Sequence, residues 1–161
     1  MLTVFFDYRG VVHSEFLPEG QTMNKEYYLD VMKRLRENNR RKRPDLWKDN
    51  TWFLHHDNTP PHKAIVVQEF LAKNSTNVIE QAPYSPDMAP YDFFLFLKLK
   101  LQLRGRRFES IEAIKENSLK KLKAIPQRAY QRCMEDWVQP WNHCVALSGT
   151  YFEGENLNFD E

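Results

Sequence analysis

Leu2 to Phe6 and Val11 to Leu17 are dense in β-branched and aromatic side chains and flank Tyr8-Arg9-Gly10, a pattern that predicts two strands of a hairpin. Gln21 to Asn24 then offers a helix start, with Tyr28, Val31, Met32 and Leu35 in the three-to-four spacing of a buried stripe. That helix should run into Arg40-Arg41-Lys42-Arg43 and stop before Pro44. Trp52 to Leu54 reads as a short buried strand delivering His55, His56, Asp57 and Asn58 at its C-terminal end. Past Pro60-Pro61, Ile65, Val66, Phe70 and Leu71 predict a second helix, and Asn77 to Ile79 a further short strand. Pro83, Pro86 and Pro90 punctuate the next loop, and a helix is expected from Tyr91 or Asp92. Ser110 should cap another helix with Ile111, Ile114, Leu119 and Leu122 inward. A last helix runs from about Gln127 to Trp137, before Pro140 interrupts it. The order is strands, then strand and helix alternating, then helices, without internal repeat or low-complexity segment.

Composition narrows this picture. The chain has 161 residues, 42% of them hydrophobic and 14% aromatic, enough apolar side chain for a single packed core. No apolar run reaches the length of a membrane span, and Leu2 to Phe6 is too short for a signal peptide, so a soluble intracellular protein is expected. Cys133 and Cys144 show no metal-binding spacing and read as free buried thiols. The net charge of +1 hides segregation. Lys33 to Arg43 carries seven basic residues against Glu37 alone. Phe93 to Phe108 carries Lys98, Lys100, Arg104, Arg106 and Arg107 without an acid, whereas Glu153, Glu155, Asp160 and Glu161 make an acidic end. Two basic segments in a near-neutral chain suggest a surface for a polyanion; a solvated helix end and a solvated loop are the plain alternative for either one.

The candidate chemistry lies in two aspartates. Asp57 ends a predicted strand and Asp92 starts a predicted helix, with residues 58–91 between them. Hard cations such as magnesium take carboxylate oxygens, and a two-ion site needs carboxylates converging from separate rigid elements. Spacing alone also fits a turn residue and a helix N-terminal residue. The surroundings decide: His56-Asp57-Asn58-Thr59-Pro60-Pro61-His62 resembles the mariner transposase motif HDNxPxH, and Tyr84 to Phe93 resembles its partner YSPDLAPxDF at the family's separation of the two acids. The resemblance extends through Gly105-Arg106-Arg107-Phe108 to Trp141, Cys144 and Gly149 to Phe152.

The resemblance implies an α/β, RNase H-like fold of the DDE/DDD transposases, with a mixed sheet flanked by helices. It makes Asp57 and Asp92 the second and third acids of a triad holding Mg2+ or Mn2+ for DNA cleavage and strand transfer. A nuclear location, DNA as partner and a homodimer follow as family expectations, with Arg40, Arg41, Lys42, Arg43, Lys98, Lys100, Arg104, Arg106 and Arg107 as candidate phosphate contacts. Asp87 is the decoy in the same loop, and Asn58, His56 and His62 are expected to cap, pack or support the acids. The family's first aspartate lies on a strand upstream of the hairpin, so the chain reads as a truncated catalytic domain over 1–161, with an acidic tail at 153–161, the first strand missing and no helix-turn-helix module. Asp7 could replace the first acid only with an altered topology. Pro61, Lys63, Met88 and Pro140 depart from the family pattern. On this reading the chain is inactive alone, and a non-catalytic DNA- or protein-binding remnant is the alternative.

Overall fold

The computed structural model describes residues 1–57, 59–80 and 90–146. Its contacts divide the chain into two units, 1–6 with 11–86 and 7–10 with 87–161.

The first unit opens on strands β1 (Leu2–Asp7) and β2 (Gly10–Phe16), the expected hairpin. Asp7 Oδ1 accepts the Arg9 N–H at 2.9 Å and starts the turn. Gly10 completes it at φ +121°, a conformation open to glycine and strained for other residues. At the open end the Leu17 N–H donates to the Met1 carbonyl at 2.9 Å. Helix α1 (Lys25–Lys42) begins where Asn24 Oδ1 accepts the Tyr27 N–H at 2.8 Å, and it buries the stripe Tyr28, Val31, Met32 and Leu35. Pro44 does more than stop α1. Lacking an N–H, it suits the first turn of a helix and starts α2 (Pro44–Asp49), an element the sequence pattern does not suggest.

Strand β3 (Phe53–His56) pairs in parallel with β4 (Asn77–Glu80), from Phe53 opposite Asn77 to His56 opposite Glu80. A parallel pair needs a crossover, here α3 (Pro60–Lys63) and α4 (Ile65–Lys73). Val12, the α1 stripe, Leu54, Val67 and Leu71 form one buried cluster. Two expectations change. β3 is only half buried, with Leu54 inside and Phe53 63% exposed, because successive strand residues face opposite sides. In α4 the inward pair is Val67 and Leu71, four apart on one face, which turns Ile65 and Val66 outward. Among the described residues the strands form two separate pairs, β1 with β2 and β3 with β4, with no ladder joining them.

The second unit carries a π-helical turn, Tyr91–Phe96, continuing into α5 (Leu97–Leu103), then α6 (Ile111–Ala124) and α7 (Gln127–Ala146). Its buried hydrophobic residues include Phe94, Leu95, Leu99, Leu122, Ile125, Tyr130 and Cys133, with Phe94 and Tyr130 edge to face at 5.5 Å between centroids. Ser110 caps α6 as expected, its Oγ accepting the Ala113 N–H at 3.1 Å. The inward face of α6 differs: Ser118 and Leu122 are buried, while Ile111 and Ile114 are exposed. The buried hydroxyl is satisfied by donating to the Ile114 carbonyl at 2.8 Å. Helix α7 also overruns its expected end and continues through Pro140 to Ala146, giving up the bond the Asp136 carbonyl would have accepted. Cys133 is a free, buried thiol pushed up to about 12 by that burial. No described helix is long and apolar enough to cross a membrane. Asp87, Asn58 and the acidic end 153–161 lie outside the described residues.

Candidate functional site

Asp57 follows directly on β3, where the parallel strand ends and the chain turns into α3. The turn is built by the aspartate itself, since Oδ1 accepts the Thr59 N–H at 3.2 Å. Thr59 then leads into Pro60, whose fixed φ sets up the first turn of α3. One helical turn brings His62 back over the carboxylate, with Nδ1 2.6 Å from the same Oδ1. A ring nitrogen so close to a carboxylate oxygen must carry the proton. The N–H is not aligned for a full hydrogen bond, so the contact is mainly electrostatic attraction at short range. The His62 ring, chiefly, and the Thr59 amide behind it hold the Asp57 carboxyl well below the usual carboxylate range, against the opposing effect of partial burial.

Behind this carboxylate three rings cluster, with Tyr28 and His56 5.9 Å apart between centroids. Tyr28 of α1 lies against His62 with centroids 3.9 Å apart and planes at 26°, and His62 lies parallel to His56 at 5.2 Å and 6°. The Tyr28 hydroxyl meets His56 Nδ1 at 2.8 Å. Burial lowers the His56 imidazole to about 4 and raises the Tyr28 phenol, so the phenol donates and the neutral ring accepts. Of the motif histidines, His62 meets Asp57 and His56 meets Tyr28. Tyr28 was legible only as a core position of α1. A buried tyrosine hydroxyl needs a partner, but nothing local names His56 as that partner.

As a ligand, Asp57 suits a hard cation: it is ionised, its side chain is 54% exposed, and His62 Nδ1 and the Thr59 N–H both meet it at Oδ1, with the Thr59 side chain adding to them. Among the described residues no three His, Cys, Asp or Glu side chains converge in a way that could hold an ion. Asp92, in the second unit, is the second residue of the π-helical turn. A helix starts there as expected, in the wider form that recurs at functional sites.

The basic residues divide by exposure. Arg40 is exposed at the end of α1 and paired with Glu37, Arg41 bonds Asn38 Oδ1 at 3.0 Å, and Lys42 is exposed. Arg43 differs in being buried at 9% exposure, with Nη1 donating to the Lys42 carbonyl at 3.2 Å, because it sits in the tight junction between α1 and α2. In the second unit Lys100, Arg104, Arg106 and Arg107 are exposed. Lys98 lies over the Phe94 ring at 5.2 Å and lines a cavity of about 410 Å³ with Arg128 and Arg132 of α7. Those two arginines extend the basic surface beyond the residues the sequence singled out.

The family profile described as Transposase (partial DDE domain) matches residues 1–49. The Mariner Mos1 transposase of Drosophila mauritiana is 36% identical over 155 residues, covering 95% of this chain and 45% of that protein. The chain thus spans about half the length of that relative. The histone-lysine N-methyltransferase SETMAR of Homo sapiens is 26% identical over 153 residues, covering 95% of this chain and 22% of that protein. Among solved structures, the catalytic domain of Mos1 mariner transposase superposes with a TM-score of 0.82 at 34% identity, over 94% of this chain and 75% of that one. The same domain has been solved with Mn and with Mg, each at a TM-score of 0.82. Strand pairs, crossover and helical second unit, together with this likeness over nearly the whole chain, make it a member of the mariner transposases, with the RNase H-like fold of their catalytic region.

Proposed function

We propose that this chain supplies Asp57 and Asp92 to the metal-dependent DNA cleavage and strand-transfer site of a mariner transposase, and that alone it does not catalyse. The supporting observation is the Asp57 carboxylate: ionised, half exposed, and met at Oδ1 by both His62 and the Thr59 amide. The Mos1 domain solved with Mn and with Mg supports a divalent ion. Such an ion, when bound, would neutralise charge on the phosphoryl group as water and then a DNA 3′-hydroxyl attacks phosphorus in line. Asp57 and Asp92 would hold it. The family's site takes a third acid, and the motifs here supply two. Transposon-end DNA, a homodimer and a nuclear location belong to the same reading.

The purified chain is expected to give no Mg2+- or Mn2+-dependent cleavage of transposon-end DNA. Joined to a preceding strand bearing an aspartate, it should gain cleavage that Asp57→Ala and Asp92→Ala each abolish. Nicking by the chain alone that those substitutions remove would overturn the inactivity, and cleavage indifferent to them would overturn the site.

A second reading, a non-catalytic DNA-binding remnant, is favoured by the exposed Lys100, Arg104, Arg106 and Arg107 and by the likeness to a segment of a protein named for a different activity. It expects weak, sequence-indifferent binding with a steep salt dependence. Arg104→Ala, Arg106→Ala and Arg107→Ala together should flatten the slope of log affinity against log salt by roughly 1 for each phosphate that is no longer neutralised. An unchanged slope would put the DNA on another face.

A further inference from the structure

The Tyr28–His62 stack has no explanation in packing alone. A histidine is 19% exposed at the side chain, yet its ring lies flat against a tyrosine that is 1% exposed and its Nδ1 reaches Asp57 Oδ1 at 2.6 Å. Each neighbour is fixed by something further in. Tyr28 is part of the α1 stripe within the first unit's core, and its hydroxyl is tied to His56 on β3. His62 lies against the face of that tyrosine with His56 to its side, itself 5.9 Å from Tyr28, so two neighbours limit its freedom to follow a moving carboxylate. The Thr59 amide comes from the turn on the other side.

We infer that His62, clamped by Tyr28, is a positioning residue that fixes the side-chain rotamer of Asp57, occupying Oδ1 and leaving Oδ2 to meet a divalent cation. The inference rests on the reading of Asp57 as a metal ligand. A free aspartate at 54% exposure would hop among staggered rotamers, and a carboxylate held in one of them presents its donor atom without reordering on metal binding. Supporting partners of this kind govern metal affinity by about 10- to 100-fold when removed. Of the two contacts that fall on Oδ1, the amide is part of the main chain, whereas the imidazole can be substituted without altering the turn.

The test uses the whole chain, without metal and then with Mn2+. Three-bond Hα–Hβ couplings of Asp57, read by NMR, should take the limiting values of one rotamer in the wild type, unequal unless both β protons lie gauche to Hα, rather than averaged intermediate values. His62→Phe keeps a ring in the stack and removes the nitrogen, so the couplings should average. His62→Gln, which restores an N–H donor, should recover them at least in part, and Tyr28→Phe should leave them at the limiting values because the stack survives. Amide dispersion in the same spectra reports folding. Averaged couplings in the wild type, or limiting ones in folded His62→Phe, overturn the inference. Paramagnetic broadening of the His56 and Thr59 amides by Mn2+ then reads the metal: about 10-fold more Mn2+ should be needed in His62→Phe. Fixed couplings with no broadening in the wild type would reject Asp57 as a ligand while leaving the clamp standing, so the two failures are distinguishable.

Discussion

Glu15 sits where β2 meets α1, and three side chains converge on its carboxylate. Arg34 grips it with two bonds, Nε at 2.9 Å and Nη2 at 2.7 Å; His13 Nε2 approaches at 2.6 Å and the Tyr27 hydroxyl at 3.0 Å. The fork of Arg34 is the main cause that lowers the Glu15 carboxyl to about 2, with His13 and Tyr27 adding to it against the cost of burial. The unfolded chain would protonate this group near its ordinary value of 4.5. Its contribution is therefore fully present above about pH 4.5 and is lost as pH falls towards about 2, because only the unfolded chain takes up the proton in that window. The loss should be on the order of 2 kcal/mol once the half-exposed guanidinium is discounted. Urea unfolding of wild type and Glu15→Gln at stepped pH checks this: the gap between them should shrink on acidification, and a gap independent of pH would refute it. Nothing in the sequence hints at the contact. Glu15 and Arg34 are 19 residues apart, on a strand and a helix whose packing no local pattern records.

At the scale of elements, signals written in a few adjacent residues were legible and those set by packing were not. Asn24 and Ser110 each place an oxygen over a free amide, and both helices start where that chemistry says. Ser110→Ala should lower stability by about 1 kcal/mol in a denaturant titration. Ile114→Lys, on the exposed face of α6, should stay within about 0.5 kcal/mol of wild type, and a larger loss would return that residue to the core. The face of α6 is ambiguous in the sequence because four apolar positions offer more than one stripe, and only the neighbours decide between them. Pro44 and Pro140 show the same limit. Proline forbids one backbone bond, which ends a helix, begins one or is absorbed by one according to what else holds the segment. The Asp57 motif was legible as a linear pattern, but its clamp was not: Tyr28 reaches His62 across the fold of the first unit, and the helical period records Tyr28 merely as buried.

For the whole molecule, the strands matter more than the helices. Each described sheet has two strands, so every strand has an edge that its own sheet does not pair, and a two-stranded sheet draws its stability from what packs on it. The purified chain is therefore expected to be marginally stable and to self-associate, which light scattering alongside denaturant titration would detect. A monomeric, cooperative transition above about 5 kcal/mol would contradict this. The division into two units also bears on how the protein is made. Apart from the hairpin tip 7–10, the first unit runs from the start of the chain to residue 86. Synthesis proceeds from the N-terminus and domains fold as units, so the parallel pair, the ring cluster and the Asp57 carboxylate can be assembled outside the ribosome before the second unit has emerged. Asp92 arrives later, with the second unit. Half of the acidic pair is thus set in place before the other half emerges, and a ribosome stalled with residue 86 just outside its exit tunnel would display Asp57 and its clamp while Asp92 is still inside.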